Sequence, residues 1–388
     1  MAEAIQNRCK NMILGALVAD AAAMGLHWIY DQSHIRKIAP DVPEFSAPDP
    51  KNYEGVMGFF AHPNRTAGAQ SQYGEQAVVM LRTLAASGGH FEEAAFADAF
   101  QAHFGYGGGY VGYIDHATRA TLDNMRHFED AAMACIETDP SDAPARIGKS
   151  VLGKALPLLM RHSGTALNQE FEEQIRATYD DDAIVTYAML LLDKLKKVPL
   201  PTGAHDLQLP AIAKLPPLVA LLVSRNQNAA FDGIVASAVK TTNDHPTAAH
   251  YGLISAHMIR GALTYGTSAD AVRAARSIAQ GEAVTLLDKA IAMRDESCEN
   301  VTQQFGMACD LPFGVPSAAH NIATAPSFSD AIRRNIYAGG DTCGRAILVG
   351  AVMGAIYGCG GAQGIPAEWV AHLEKRTEVS NLLKVLFE

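Results

Sequence analysis

The run Ala346-Ile-Leu-Val-Gly-Ala-Val-Met-Gly-Ala355 constrains the fold of this chain more than any other stretch. Its small residues Gly350, Ala351, Gly354 and Ala355 recur at three- and four-residue spacing, the pattern of a helix lying close against its neighbours. Immediately before it stands Gly339-Gly340-Asp341-Thr342-Cys343-Gly344-Arg345. Two glycines permit a tight turn, and Asp341 and Thr342 can either cap the following helix or face a ligand seated at its start. The rest of the chain is consistent with a helical surround. Ala, Leu and Met dominate, apolar residues recur at helical spacing, and strand-like alternation is scarce. Residues 75–87, 92–103, 183–197, 229–241, 247–264, 269–278 and 344–357 are the clearest helices. The expected class is all-α.

With 48% hydrophobic and 19% charged residues, the chain can bury a large core and lacks the signature of disorder. No composition shift divides it. The connector from Pro199 to Pro210 lies between helices that look able to share one core, so a single domain over 1–388 is expected. Two segments without helical period, Pro40 to Gln72 and Gly105 to Tyr110, are loops suited to covering a pocket. A formal net charge of -10, with no cluster of Lys and Arg among aromatics, argues against nucleic-acid binding. The six cysteines show no Cys-x-x-Cys pair and suit reduced thiols in a cytoplasm. Residues 12–26 are apolar, but Asp20 interrupts them; a packed helix is expected there, with no export and no membrane span.

Four separated segments resemble the ADP-ribosylglycohydrolase superfamily, and within it the J1-crystallin-like branch. They are Gly15-Ala-Leu-Val-Ala-Asp20 with His27-Trp28-Ile-Tyr30-Asp31; Tyr73-Gly74-Glu75-Gln76; Lys214-Leu-Pro-Pro-Leu218 with Thr242-Asn-Asp244-His245-Pro246; and Gly339 to Arg345 with Ile365-Pro-Ala-Glu-Trp369. The resemblance spans most of the chain. It implies a single compact orthogonal bundle of many helices, with paired Mg2+ ions held by carboxylates in a central cleft. The implied reaction cleaves the glycosidic bond joining ADP-ribose to a side chain or small acceptor, the ions orienting ribose hydroxyls and activating water.

The departures from the family pattern fall on the chemistry itself. The usual Gly-Gly-Asp-Thr-Asp-Thr is here Gly339-Gly340-Asp341-Thr342-Cys343-Gly344, and the usual Thr-Asp-Asp-Thr is Tyr73-Gly74-Glu75-Gln76. The acidic residue expected after the opening helix falls on His27. Glu75 and Asp341 could hold at most one Mg2+, and the uncompensated helix starts favour an anionic or nucleotide-like small molecule.

Glu75, His27 and Asp341 are the catalytic candidates: Glu75 as base, His27 as acid, Asp341 toward metal or ribose. Asp20, Tyr73, Gln76, Tyr110, Thr342, Cys343 and Arg345 are the candidates for binding substrate. Each has a structural alternative. Asp341 can be an N-cap, Glu75 a first-turn acid complementing the helix dipole, and Asp20 a buried acceptor. His27 lies two helical turns after Asp20, so a continued helix would pair them; otherwise it is a buried histidine beside Trp28. Cys343 is either a thiol activated by the helix start or a small residue in a crowded turn. Arg345 can meet a phosphate or a neighbouring carboxylate. The functional expectation is a hydrolase of ADP-ribosyl or related ribosyl bonds. Its alternatives are a metal-independent hydrolase or transferase on another small molecule, and a noncatalytic J1-crystallin-like protein.

Overall fold

A computed structural model describes residues 2–137, 144–161 and 164–388. Helices follow one another along the described residues, which form no strand beyond isolated bridges. The chain is therefore all-α. The helices expected from periodicity are found with ends shifted by no more than three residues, for instance Gln72–Ala86, Asp182–Leu195 and Pro246–Tyr265.

At the centre, the N-terminal helix Ala2–Ala23 lies against Thr342–Tyr357, the helix carrying the small-residue run. The approach is backbone to backbone. A Cβ placed on Gly350 would stand 2.3 Å from the Gly15 carbonyl oxygen, and one on Gly354 would stand 2.5 Å from that of Asn11. Glycine is required here by contact with another helix, because both positions are ordinary helical backbone. Helices Leu215–Ser224, Pro246–Tyr265, Leu311–Thr324 and Phe328–Tyr337 pack around this pair. Length and apolarity alone would let Glu3–Leu26 cross a membrane, but the segment is largely buried inside the fold as the central helix.

A second apolar cluster is built from one contiguous stretch, with Ile136, Val151, Leu158, Phe171, Leu192 and Leu195 at its heart. Its helices His116–Glu137, Pro144–Arg161, Gly164–Arg176 and Asp182–Leu195 turn their apolar stripes toward each other. Leu209 and Leu215, just beyond the Pro199–Pro210 connector, belong to the central cluster instead. Helices on both sides of the connector nevertheless share the central cluster, since Leu17, Tyr73, Phe100 and Met125 pack in it together with Leu218, Ile259 and Leu348. Only the helices immediately before the connector turn to the second cluster.

Candidate functional site

Two helix N-termini meet through their side chains. Asp341 is the N-cap of Thr342–Tyr357 and accepts from the Gly344 N–H at 2.8 Å. Ser71 is the N-cap of Gln72–Ala86, its hydroxyl accepting from the Tyr73 N–H at 3.1 Å. The same hydroxyl donates to Asp20 Oδ1 at 2.5 Å, and the Ser71 N–H donates to Asp20 Oδ2 at 2.8 Å. Tyr73 closes the circuit by donating its phenolic O–H to Asp341 Oδ2 at 2.6 Å. Three helices distant in sequence are tied by carboxylates that no solvent reaches.

The turn before Asp341 needs its glycines. Gly339 and Gly340 have φ of 68° and 64°, and a Cβ on Gly340 would lie 2.1 Å from the Met307 carbonyl oxygen. Gly340 exchanges backbone hydrogen bonds with the segment after the first helix, accepting from Trp28 and donating to Ile29 at 2.8 Å each. Arg345 supports this turn from within. Fully buried, it donates to the Gly339 carbonyl and to Asn335 Oδ1, while Asn335 donates to the Thr342 carbonyl. Asp341 acts on Arg345 through space without an ion pair between them among the described residues, and Nη1 of Arg345 is buried without a partner.

His27 is not on a helical face with Asp20. The helix ends at Ala23, a tight turn covers Met24–Leu26, and His27 is extended, with Trp28 after it at φ 64°. Its Nδ1 accepts a 3.2 Å bond from the Cys343 N–H and lies 3.4 Å from Thr342 Oγ1 and 3.8 Å from Asp341 Oδ1. The ring stacks on Trp28 at 4.4 Å. Burial, and then the neighbouring His62 and Arg345, hold its pKa well below the usual imidazole range, so it is neutral. Cys343 is fully buried, and desolvation together with the nearby Asp20 and Asp341 pushes its thiol pKa well up. The activation expected from the helix start is overridden by burial, which corrects that reading.

Glu75 lies on the first turn of its helix and is buried, yet two cations and the His103 ring reach it. Arg65 Nη2 and Lys375 Nζ stand 3.2 Å from Oε1, and His103 Nε2 stands 2.9 Å from Oε2. Burial alone would raise its pKa, but the His103 bond and the charges of Lys375 and Arg65 prevail and hold it below the usual carboxylate range. Arg65 also lies over the Tyr110 ring at 4.4 Å. Tyr106 of the same glycine loop points into solvent, and Tyr113 packs edge-on against Trp28. Gln76 donates to Thr118 at 3.2 Å. Asp341, by contrast, is raised by burial against the bonds from Tyr73, Cys309 and Gly344.

These donors do not compose a magnesium site. The two oxygens of Glu75 and the two of Asp341 are engaged by separate sets of protein donors, and Cys343 and Gly344 offer no hard oxygen ligand from their side chains.

Beside the two helix starts, His62 and Asp115 carried no sequence signal of their own, and Lys214 only its place in a family-like segment. His62 comes from the irregular segment before Gln72 and sets its ring 5.4 Å from His27. Asp115 is buried with Oδ2 unpartnered, its pKa pushed up to about 6 mainly by desolvation. Lys214, at the start of the Lys-Leu-Pro-Pro segment, is fully buried and donates to Thr242 Oγ1. Burial brings it down to about 7 against the pull of Asp115. A buried ammonium with so few acceptors is costly. Lys214→Met should therefore raise stability by about 1–3 kcal/mol at neutral pH in urea unfolding. Above about pH 7 the unfolded wild-type chain binds a proton that the folded one has released, so folding stability rises and the advantage of the variant shrinks. A variant less stable than wild type at pH 7 would show the lysine to be a net structural support.

The whole chain, residues 1–388, matches the sequence profile of ADP-ribosylglycohydrolase. It is 25% identical to Crystallin J1A of Tripedalia cystophora over 377 residues, 96% of this chain and 94% of that one. It is 23% identical to Crystallin J1B of the same organism, covering 97% and 95%. A solved ADP-ribosylglycohydrolase-related protein complex shares the fold, with a TM-score of 0.53 at 16% identity over 99% of this chain and 98% of that one. The helical bundle, the paired helix starts and the match over its full length together establish that the chain belongs to the ADP-ribosylglycohydrolase family.

Proposed function

We propose that this protein is a hydrolase of glycosidic bonds to ribose, taking ADP-ribosyl or related ribosyl compounds, and that its chemistry runs without a magnesium pair. One observation carries the reading. Around the two helix starts, Gln70 Oε1, both amide atoms of Gln72, Gln76 Oε1 and Asp115 Oδ2 are buried without a partner. Buried polar atoms are nearly always satisfied, so this concentration favours a cleft built around polar ligand atoms such as ribose hydroxyls. In this reading Asp341, oriented by Tyr73 and Gly344, accepts the proton of an attacking water that enters with the substrate, since bulk solvent does not reach it. Glu75 carries structural charge instead, because its oxygens are already held by Arg65, Lys375 and His103. Access is from the Glu75 end, where Arg65, His103 and Lys375 are partly exposed.

A noncatalytic role is the second reading. It is favoured by the Tyr73–Asp341 bond, which satisfies the acidic turn internally, and by the crystallins among the relatives. Calorimetric titration of ADP-ribose into the protein as purified, with and without added Mg2+, separates the two, paired with a chromatographic assay for ADP-ribose release from ADP-ribosylated arginine. Binding and release indifferent to Mg2+ are expected. Binding that requires Mg2+ would defeat the magnesium-free mechanism, and neither binding nor release would leave the noncatalytic reading standing.

A further inference from the structure

We propose that His27, His62 and Cys343 form a binding site for a thiophilic divalent ion, with Zn2+ the ion their chemistry fits. Each offers one ligand atom, and these atoms lie within 4.8 Å of one another with all three residues buried. They come from three separate places: the chain after the first helix, the irregular segment before Gln72, and the first turn of Thr342–Tyr357. No local pattern would gather them.

The second observation is that the ligating ring nitrogens lack other work. Nε2 of His27 and both ring nitrogens of His62 are buried without a hydrogen-bond partner. The Cys343 sulfur has a 3.8 Å contact with the Asp20 carbonyl and meets the Ser71 side chain. Unpartnered imidazole nitrogens in a dry interior are costly, and an ion bridging them to a sulfur removes that cost.

Donor type selects the metal. Two imidazoles and a thiolate suit Zn2+ and are poor ligands for Mg2+, which wants oxygen. The surroundings suit a zinc site as well. With Nε2 of His27 on the ion, Nδ1 carries the ring proton, Thr342 Oγ1 stands 3.4 Å from it to accept, and the Asp341 carboxylate lies 3.8 Å away. The 3.2 Å bond from the Cys343 N–H is the contact given up. On binding, the Cys343 thiol loses its proton to solvent and its sulfur forms the bond to the ion. The remaining positive charge faces the buried carboxylates of Asp20 and Asp341, which act on that same sulfur. Three protein ligands leave a fourth position for water, the arrangement of catalytic rather than structural zinc sites.

The inference is independent of the ribosyl reading, since occupancy is measured without substrate. Purified full-length protein is analysed for zinc, then dialysed against chelator and titrated with Co2+, which reports a thiolate ligand by a charge-transfer band and tetrahedral geometry by its visible bands. One equivalent of ion per chain and both band sets are expected. Cys343→Ser should abolish the charge-transfer band, and His62→Ala, which breaks no hydrogen bond, should weaken Co2+ binding at least tenfold with circular dichroism unchanged. Cys309→Ser, lacking a thiol beside the same cleft, should keep the band. Protein that takes up neither ion would overturn the proposal, as would a band surviving Cys343→Ser or wild-type affinity in His62→Ala. If Cys343→Ser does not fold, His62→Ala decides alone.

Discussion

Gly350→Ala is expected to destabilise the protein by at least about 3 kcal/mol, measured as the shift of the urea unfolding midpoint at unchanged slope. One methyl group is enough, because its atom would lie 2.3 Å from the Gly15 carbonyl oxygen and 2.4 Å from the Ala19 Cβ. The first obstacle is backbone of the facing helix, so relief requires the two central helices to separate. Separation in turn disturbs Asp341 and Asp20, which sit on these same elements. Gly233 supplies the control. It lies exposed in helix Phe231–Lys240, and an added methyl group would meet nothing within 4 Å, so Gly233→Ala should gain about 0.5–1 kcal/mol from reduced chain entropy. The same chemical change thus takes opposite signs at two helical positions. Equal effects at both would show that the central helices are not in contact through glycine.

Glu75→Gln should cost about 3 kcal/mol at pH 7. The substitution keeps the shape but removes the charge that Arg65, Lys375 and His103 share, leaving three partly buried donors with a neutral acceptor. The pH dependence identifies the cause. The folded-state pKa of Glu75 lies below its unfolded value, so its contribution is fully present above that unfolded value and is lost as pH falls through the folded one. The gap between wild type and Glu75→Gln should therefore be widest at neutral pH and close on acidification. A gap that does not change with pH would mean that packing, and not charge, is what Glu75 provides. The variant also tests its chemical role: if Glu75 is structural, Glu75→Gln that remains folded retains ADP-ribose release, whereas loss of release with intact binding would restore it as the base.

The helical fold was legible because its signal is local. Apolar spacing marks each amphipathic helix, and the small residues at Gly350 and Gly354 announce a close crossing before any partner is known. Asp341, Thr342 and Glu75 were legible because helix starts have their own composition. What surrounds them was not. Arg65, His103 and Lys375 converge on Glu75 from a loop, a helix end and the C-terminal region, and a lone basic residue in each place looks like ordinary surface. His62 sits in a segment with no period. The pairing of His27 with Asp20 failed because periodicity cannot see the turn at Met24–Leu26 or the left-handed Trp28, which redirect the chain toward the glycine turn. For Cys343 the choice between thiolate and small packed residue was open for a related reason: a helix start favours a thiolate, but the depth of that start is a tertiary property.

The two central helices stand at opposite ends of the chain, and this orders events during synthesis. As the ribosome delivers the polypeptide from its N-terminus, Ala2–Ala23 emerges with its closest partner, Thr342–Tyr357, still unmade. The cluster formed by helices between His116 and Leu195 is contiguous and can condense early from nearby contacts. The first helix can meet Gln72–Ala86 and Leu215–Ser224 on the way, but the face that takes Thr342–Tyr357 must be shielded until that helix is made. Assembly of the Tyr73–Asp341 contact, whose partners are 268 residues apart, comes correspondingly late.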